Sequence, residues 1–246
     1  MHRPRQALAA CLLAAVVLVG APGIARADDP VLPPVPEAAP EAIPATALPL
    51  RFGAVGWRVA DAQERLEWLG YDIAEGNLDN DRMGMSTQAA VARFQVKFGH
   101  APSGVIGQRT WALLRRISGP VGRLPSACRN QRSICIDTSQ RLVRLVDEGR
   151  VLLTLDARFG FAGAETRTGT FRVARKSRDH VSGLYGTSMP YSLFFSGGQA
   201  VHYSAYFARD GYNGASHGCV NLRDRSGARW LFDHVDVGTR VHVYRS

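Results

Sequence analysis

The stretch "SICIDTSQRLVRLVDEGRVLLTLDARFG" (residues 133–160) holds short runs of Ile, Val and Leu split by "DEG" at 147–149. Short runs of this kind, bounded by turn residues, read as strands, and the Asp-Glu-Gly between two of them reads as a hairpin turn. The same glycine-bounded texture returns in "TGTFRVARK" (168–176), "GQAVHYS" (198–204) and "GTRVHVYRS" (238–246). One helical stretch, "SGARWLFDH" (226–234), interrupts it. Residues 126–246 are therefore expected to form a mainly β domain, barrel- or sandwich-like. The runs do not define the order of the strands.

Upstream the period changes from two to between three and four. Val59, Leu66 and Leu69 fall near one helical face. Val91, Phe94 and Phe98 share another, after Ser86 as the expected N-cap. Trp111, Leu114 and Ile117 mark a third helix, stopped by Gly119-Pro120. Residues 51–119 thus predict a small all-α domain, in which three amphipathic helices can just support a core. Asp79 and Asp81 hint at calcium, but their spacing fails the EF-hand loop, and a solvated turn is the plainer reading.

The N-terminus sets the compartment. Arg3 and Arg5 precede an apolar run from Ala7 to Val19, and Ala25-Arg26-Ala27 has the small-x-small form of a cleavage site, so residues 1–27 read as an export signal. The run is short for a membrane span, which needs about 20 apolar residues, and no span is expected later. Removing residues 1–27 takes away three arginines and no acid, which lowers the formal charge from +9 to +6. That balance suits an anionic or carboxylate-rich polymer outside the membrane. Nucleic acid is not expected as a partner, because no recognition motif is present. Residues 28–50 carry 7 of the 13 prolines and read as an extended linker.

Beyond residue 27 the cysteines are Cys128, Cys135 and Cys219, an odd number in a chain read as exported. Cys128 and Cys135 lie close enough to close a small disulfide loop, which would leave Cys219 free; spacing alone does not fix the connectivity. Cys219 sits in "GASHGCVNLRD" (214–224). As a core residue it lacks apolar company. As a zinc ligand it would have to join His217, Cys128 and Cys135, whose spacing is poor. As a nucleophile it needs a histidine to take its proton, an acceptor to orient that histidine, and backbone N–H groups for an oxyanion. The N–H groups of Gly218 and Cys219 are the expected oxyanion donors. His217 and His202 both qualify as the base, and spacing does not choose between them.

Two resemblances sharpen this reading. "VADAQERLEWLGY" (59–71), "STQAAVARFQVKFG" (86–99) and "SGVIGQRTWALL" (103–114) resemble the three-helix peptidoglycan-binding module. The shared positions imply the fold rather than any single ligand contact. His202 followed by Ser216-His217-Gly218-Cys219-Val220-Asn221 resembles the L,D-transpeptidase (YkuD) catalytic domain, as do "TRTGTFRVARK", "MPYSLFFSGGQAVHY" and "GTRVHVY" over residues 133–246. The resemblance implies that Cys219 is the nucleophile, His202 its base and the Tyr203 carbonyl the group orienting the imidazole. It places His217 and Gly218 in the site and makes Ser216, Asn221, Arg223, Tyr191 and Met189 substrate contacts. The position after the histidine is Tyr203 where the family often has glycine; a role carried by a carbonyl tolerates that.

The implied reaction is acyl transfer on peptidoglycan stem peptides through a thioester, with donor and acceptor stems as partners, carbapenem-type inhibitors as acylating agents, and no metal or organic cofactor. Water in place of the amine would give an L,D-carboxypeptidase. A non-catalytic cell-wall-binding protein is the remaining alternative. The expected location is extracytoplasmic, at the cell wall.

Overall fold

The computed structural model describes residues 43–44, 47–74, 76 and 81–246. The export signal read at 1–27, most of the linker read at 28–50, and Asp79 lie outside the described residues. The described residues fall in one compact unit.

The helical part contains α1 (Trp57–Trp68), α2 (Met85–Lys97) and α3 (Gln108–Ser118). A two-residue parallel pair, β1 (Ile43–Pro44) and β2 (Ala54–Val55), precedes α1. The apolar positions that define the helical periods meet in one core: Val59, Leu66, Leu69, Val91, Phe94 and Leu114 are all buried there. Phe98 and Trp111 are only partly buried at its edge. Two buried glutamines tie loops to helices. Gln63 Nε2 donates to Arg82 O and Thr87 Oγ1. Gln95 Nε2 lies within bonding reach of Ser103 Oγ, Val105 O and Thr110 Oγ1, while its Oε1 accepts from Gly104 N.

One expected cap is corrected. The N-cap of α2 is Gly84, with no side-chain cap bond. Ser86 lies inside the first turn, and its Oγ accepts from Ala74 N at 3.2 Å. A serine hydroxyl can serve a neighbouring loop as readily as its own helix, and here the incoming loop competes successfully.

The described strands after residue 130 form one nine-stranded sheet: β3 (Ser133–Asp137), β4 (Leu142–Asp147), β5 (Arg150–Arg158), β6 (Gly169–Arg172), β7 (Arg175–Val181), β8 (Ser188–Ser196), β9 (Gln199–Tyr203), β10 (Val220–Leu222) and β11 (Arg240–Tyr244). Their order is β6-β11-β3-β4-β5-β10-β9-β8-β7. The "DEG" hairpin joins β4 to β5 with positive φ at both Glu148 and Gly149, the backbone of a twist-matched hairpin turn. Within this sheet the β11–β3 and β10–β9 strand pairings are parallel and the others antiparallel. Ile134, Val143 and Leu145 from one half of the sheet share a core with Leu193, Phe195 and Val201 from the other, so the sheet curls around it. A short helix α4 (Ala205–Asp210) follows β9, capped by Ser204 Oγ. Helix α5 (Arg225–Asp233), capped by Asp224, lays Ala228, Leu231 and Phe232 on the same core.

The helical part docks on β4 and β5 through buried cations. Arg144 on β4 is 1 % exposed. It donates to Trp68 O at the end of α1 and to Gln140 Oε1, with its guanidinium over the Trp68 ring. Gln140 in turn donates to Ser118 O at the end of α3, and Arg141 to Lys97 O at the end of α2. All three described helices of this part thus offer C-terminal carbonyls to side chains from one turn and one strand, which suits the negative end of a helix dipole.

Cys128, in a single turn of 3₁₀ helix (Ser126–Cys128), is disulfide-bonded to Cys135 on β3, and Cys219 is the free cysteine among the described residues. The closed loop is short, so the chain-entropy contribution of the bridge is about 2.5 kcal/mol. The double variant Cys128→Ala/Cys135→Ala is expected to lose about that much unfolding free energy in urea titration. A chain starting at Asp28, denatured without reductant, should expose one alkylatable thiol, which maps to Cys219; two or more would overturn the pairing.

Candidate active site

The site begins with three residues of β10. Val220 and Leu222 are buried in the main core, and Val201 on β9 joins them. Strand side chains alternate between faces. Anchoring Val220 and Leu222 inward therefore turns Asn221, and Cys219 just before the strand, to the opposite face. The parallel register pairs Val220 with Val201 and Asn221 with His202. Cys219 and His202 consequently stand on one face of neighbouring strands, two positions apart along them. Both line one cleft of about 780 Å³.

His202 is nearly fully buried. Its Nδ1 lies 2.7 Å from Tyr203 O. A carbonyl only accepts, so Nδ1 carries the proton and Nε2 keeps its lone pair. Burial pushes His202 down to about 4; the bond to Tyr203 O opposes this, and nearby His180 adds to it. Cys219 packs against Met189, Phe194 and Ala200. Burial raises its thiol above the usual range, against a contact from the Ala200 N–H. Burial thus favours the uncharged form of each group, a thiol at Cys219 and a neutral imidazole at His202.

The loop before Cys219 is fixed at several points. Arg158 Nη1 donates to Gly211 O and Asn213 O. Ser216 N donates to Phe159 O, and Phe161 N to Ser216 O. Ser216 Oγ donates to Cys219 O at 2.5 Å and accepts from Gly218 N at 3.2 Å. Thr166 Oγ1 donates to Gly218 O. Gly218 has a φ of 106°, and a Cβ there would fall 2.4 Å from Gln199 Nε2. A Cβ on Gly160 would fall 1.9 Å from Ala164 O and 2.9 Å from Gly218 Cα. Both positions need glycine, one for its backbone and both for lack of space. Gln199 completes the packing: its Nε2 donates to Glu165 O and its Oε1 accepts from Arg167 N.

Of the residues expected at the site, Cys219, His202, His217, Ser216, Asn221 and Met189 line the cleft. His217 is stacked on Tyr185 at 4.3 Å and meets Phe161 edge-on. Tyr203 contributes its carbonyl, while its ring packs toward the core and under Arg225. Two residues stand elsewhere. Tyr191 has a φ of 60° and turns toward Phe232 on α5, away from the cleft. Arg223 turns back to the carboxylate of Asp156 on β5. Gly218 N–H is directed at Ser216 Oγ rather than into the cleft. The zinc set weighed for Cys219 is not assembled, because Cys128 and Cys135 are bonded to each other.

Sequence reasoning missed Gln199, Thr166, Arg158 and His180, which long-range strand pairing brings in and no local pattern marks. Tyr185 carried a signal: an aromatic held between two glycines in "SGLYG" (182–186) marks an exposed turn tip.

A half-buried Cys219 and a buried His202 on one face of paired strands, an imidazole oriented by a carbonyl and a tightly held loop make up the candidate site. Comparison with known proteins agrees in class. Residues 131–243 match the family described as L,D-transpeptidase catalytic domain (YkuD), and residues 56–114 match a peptidoglycan binding domain family. The chain belongs to the YkuD L,D-transpeptidase family, with a peptidoglycan-binding domain upstream. Among solved structures it is similar to an L,D-transpeptidase from Stackebrandtia nassauensis, at 25% identity and a TM-score of 0.53 over 80% of this chain and 97% of that one. It is similar also to an L,D-transpeptidase from Xylanimonas cellulosilytica, at 31% identity and a TM-score of 0.49 over 82% of this chain and 100% of that one. A third, an L,D-transpeptidase solved in complex with imipenem, shows 28% identity and a TM-score of 0.42 over 46% of this chain and 58% of that one. No curated protein matches the chain.

The neutral resting pair has a measurable signature. Alkylation of Cys219 by iodoacetamide, followed by intact mass, is expected to climb steadily with pH through 9. A rate plateau between pH 5 and 7 would reveal a standing thiolate–imidazolium pair instead.

Proposed function

We propose that this protein is a cysteine-dependent L,D-transpeptidase acting on peptidoglycan stem peptides, exported by the segment at 1–27 and working at the cell wall. The observation that carries the reading is the placement of Cys219 and His202 on one face of paired strands, with His202 Nδ1 held by the Tyr203 carbonyl.

The donor carbonyl, at the third residue of a stem tetrapeptide, enters the cleft beside Cys219. The sulfur forms a bond to the carbonyl carbon as its proton passes to His202 Nε2. The carbonyl π pair moves to oxygen, and the backbone N–H of Cys219 meets the resulting oxyanion. The intermediate collapses: the C–N bond breaks, His202 returns its proton to the departing D-alanine amine, and a thioester remains. An acceptor amine then attacks the thioester, losing a proton to His202, and the C–S bond breaks to restore the thiol.

Burial opposes a lasting imidazolium in this cleft. The proton is therefore best transferred as the sulfur attacks and passed on promptly, which favours chemistry only when a substrate carbonyl is in place. The stacked His217 ring and Met189 shape the cleft wall, and Asn221 and Ser216 supply polar contacts within reach of a peptide. The upstream domain, by family, supplies affinity for the same polymer, and the basic charge of the chain suits it.

Imipenem, bound in one of the similar structures, serves as the acylating probe. The native chain from Asp28 should gain one covalent adduct by intact mass, Cys219→Ala none, and His202→Ala an adduct formed about a thousandfold more slowly. With a purified tetrapeptide stem, cross-linked dimers identify amine as the acceptor, while tripeptide alone identifies water and an L,D-carboxypeptidase. An adduct that persists in Cys219→Ala would refute the assignment of the nucleophile.

A further inference from the structure

A buried charge chain runs from the helical part to within four residues of Cys219. Lys97 ends α2 and is 2 % exposed. Its Nζ lies 2.6 Å from Asp156 Oδ1 on β5. The other carboxylate oxygen of Asp156 is taken by Arg223, the first residue after β10. β5 and β10 pair antiparallel, Ala157 opposite Leu222, which brings Asp156 alongside Arg223. Arg141 donates to Lys97 O, and the rings of Tyr71 and Tyr212 flank its ammonium, each centred 5.8 Å away. The charged and titratable groups facing Lys97 are thus Asp156, Arg223, Arg141, Tyr71 and Tyr212.

This arrangement is an expensive way to join two domains if joining were its only use. A buried ion pair adds little net stability over apolar packing of the same volume, but it fixes geometry. β10 is in need of such fixing. It is three residues long, and its ladders to β9 and β5 and its two core residues must hold the register that sets Cys219 against His202.

We propose that Lys97 is a positioning residue for the active site: from the helical part it holds Asp156, and through it Arg223, and so sets the register in which β10 presents Cys219 beside His202. The inference rests on reading Cys219 as the reacting thiol. Loss of the Lys97 charge leaves Arg223 and Asp156 free to swing toward solvent, and the contact between Ala200 N–H and the Cys219 sulfur loosens with them. Burial lowers Lys97 to about 8, with Asp156 opposing, so the charge is in place at pH 7 and is given up as pH rises through that value.

The test uses Lys97→Met and Lys97→Arg in the chain from Asp28, with circular dichroism and thermal melts to confirm folding. At pH 7, alkylation of Cys219 by iodoacetamide should slow fivefold or more in Lys97→Met and stay within twofold of native in Lys97→Arg. Acylation by imipenem should fall about tenfold in Lys97→Met alone, since small misplacements of reacting groups are costly. Above pH 8 the native protein should lag Lys97→Arg, because only the native residue loses its charge there; a purely structural role would leave that ratio flat. A folded Lys97→Met with native alkylation at pH 7, or a flat ratio from pH 7 to 9.5, overturns the proposal. If Lys97→Met does not fold, Arg223→Gln leaves the Lys97–Asp156 pair intact and must show the same slowing, or the proposal fails. A native chain that imipenem does not acylate would sink the transpeptidase reading instead, while the alkylation rates still decide the role of Lys97.

Discussion

The three-residue parallel pairing of β10 with β9 is the constraint on which the rest of the site depends. Val220 and Leu222 are inside the core, and Val201 opposes Val220 from the neighbouring strand. These apolar residues decide which way the polar ones face. A slip of one residue would send an entire strand's side chains to the other face. It would bury Asn221 among aliphatic groups and leave the Cys219 sulfur and the His202 ring on opposite sides of the sheet. The core packing that stabilises the curled sheet is thus the same packing that turns Cys219 and His202 to one face.

Around that pair the structure favours order over charge. Gly160, Gly218 and Gln199 fill their space so closely that a single added methyl at either glycine would collide. Ser216 and Thr166 hold the carbonyls of Cys219 and Gly218. Burial favours the uncharged forms of both Cys219 and His202. Under the proposed chemistry this has a consequence for selectivity. A standing thiolate would react with any electrophile that reached the cleft, whereas a neutral pair reacts when a carbonyl is seated to receive the sulfur as the proton leaves. In the oxidising surrounding that the proposed export implies, that restraint suits a free cysteine.

Much of this was legible in the sequence, for local reasons. Helical periods placed α1, α2 and α3, because their apolar faces meet in a single core. The "DEG" turn and the glycine-bounded runs marked strands, because hairpin turns and β-branched runs are local signals. The order of the sheet was not legible. Its parallel closure pairs Arg240 with Ser133 and Tyr244 with Asp137, partners more than a hundred residues apart. The same limit explains the site. Cys219 and His202 sit in compact motifs and could be read. Tyr191 shares the core face with Leu193 and Phe195 while Met189, two residues before it, faces the cleft, a change of face that strand alternation does not foretell, and Arg223 turns to Asp156, 67 residues upstream. Ser86 failed as a cap for a similar reason, since the loop that claims its hydroxyl arrives from tertiary structure.

The docking of the helical part follows the same logic as the site. An interface of Leu and Val alone would tolerate sliding, because dispersion contacts have little directional preference. Arg144, Arg141 and Gln140 instead reach backbone carbonyls at the ends of three different helices, and each such bond has a preferred line. Three directional contacts from one short segment of chain fix both the position and the rotation of the helical part. The fourth, Lys97, reaches a carboxylate rather than a carbonyl, and that carboxylate is already shared with Arg223, the residue that follows β10. Whatever polymer the upstream domain holds is therefore held at a set angle to the cleft. Under the proposed function, affinity in one part and reaction in the other become a single geometric problem, as crosslinking of an immobile, repeating substrate requires.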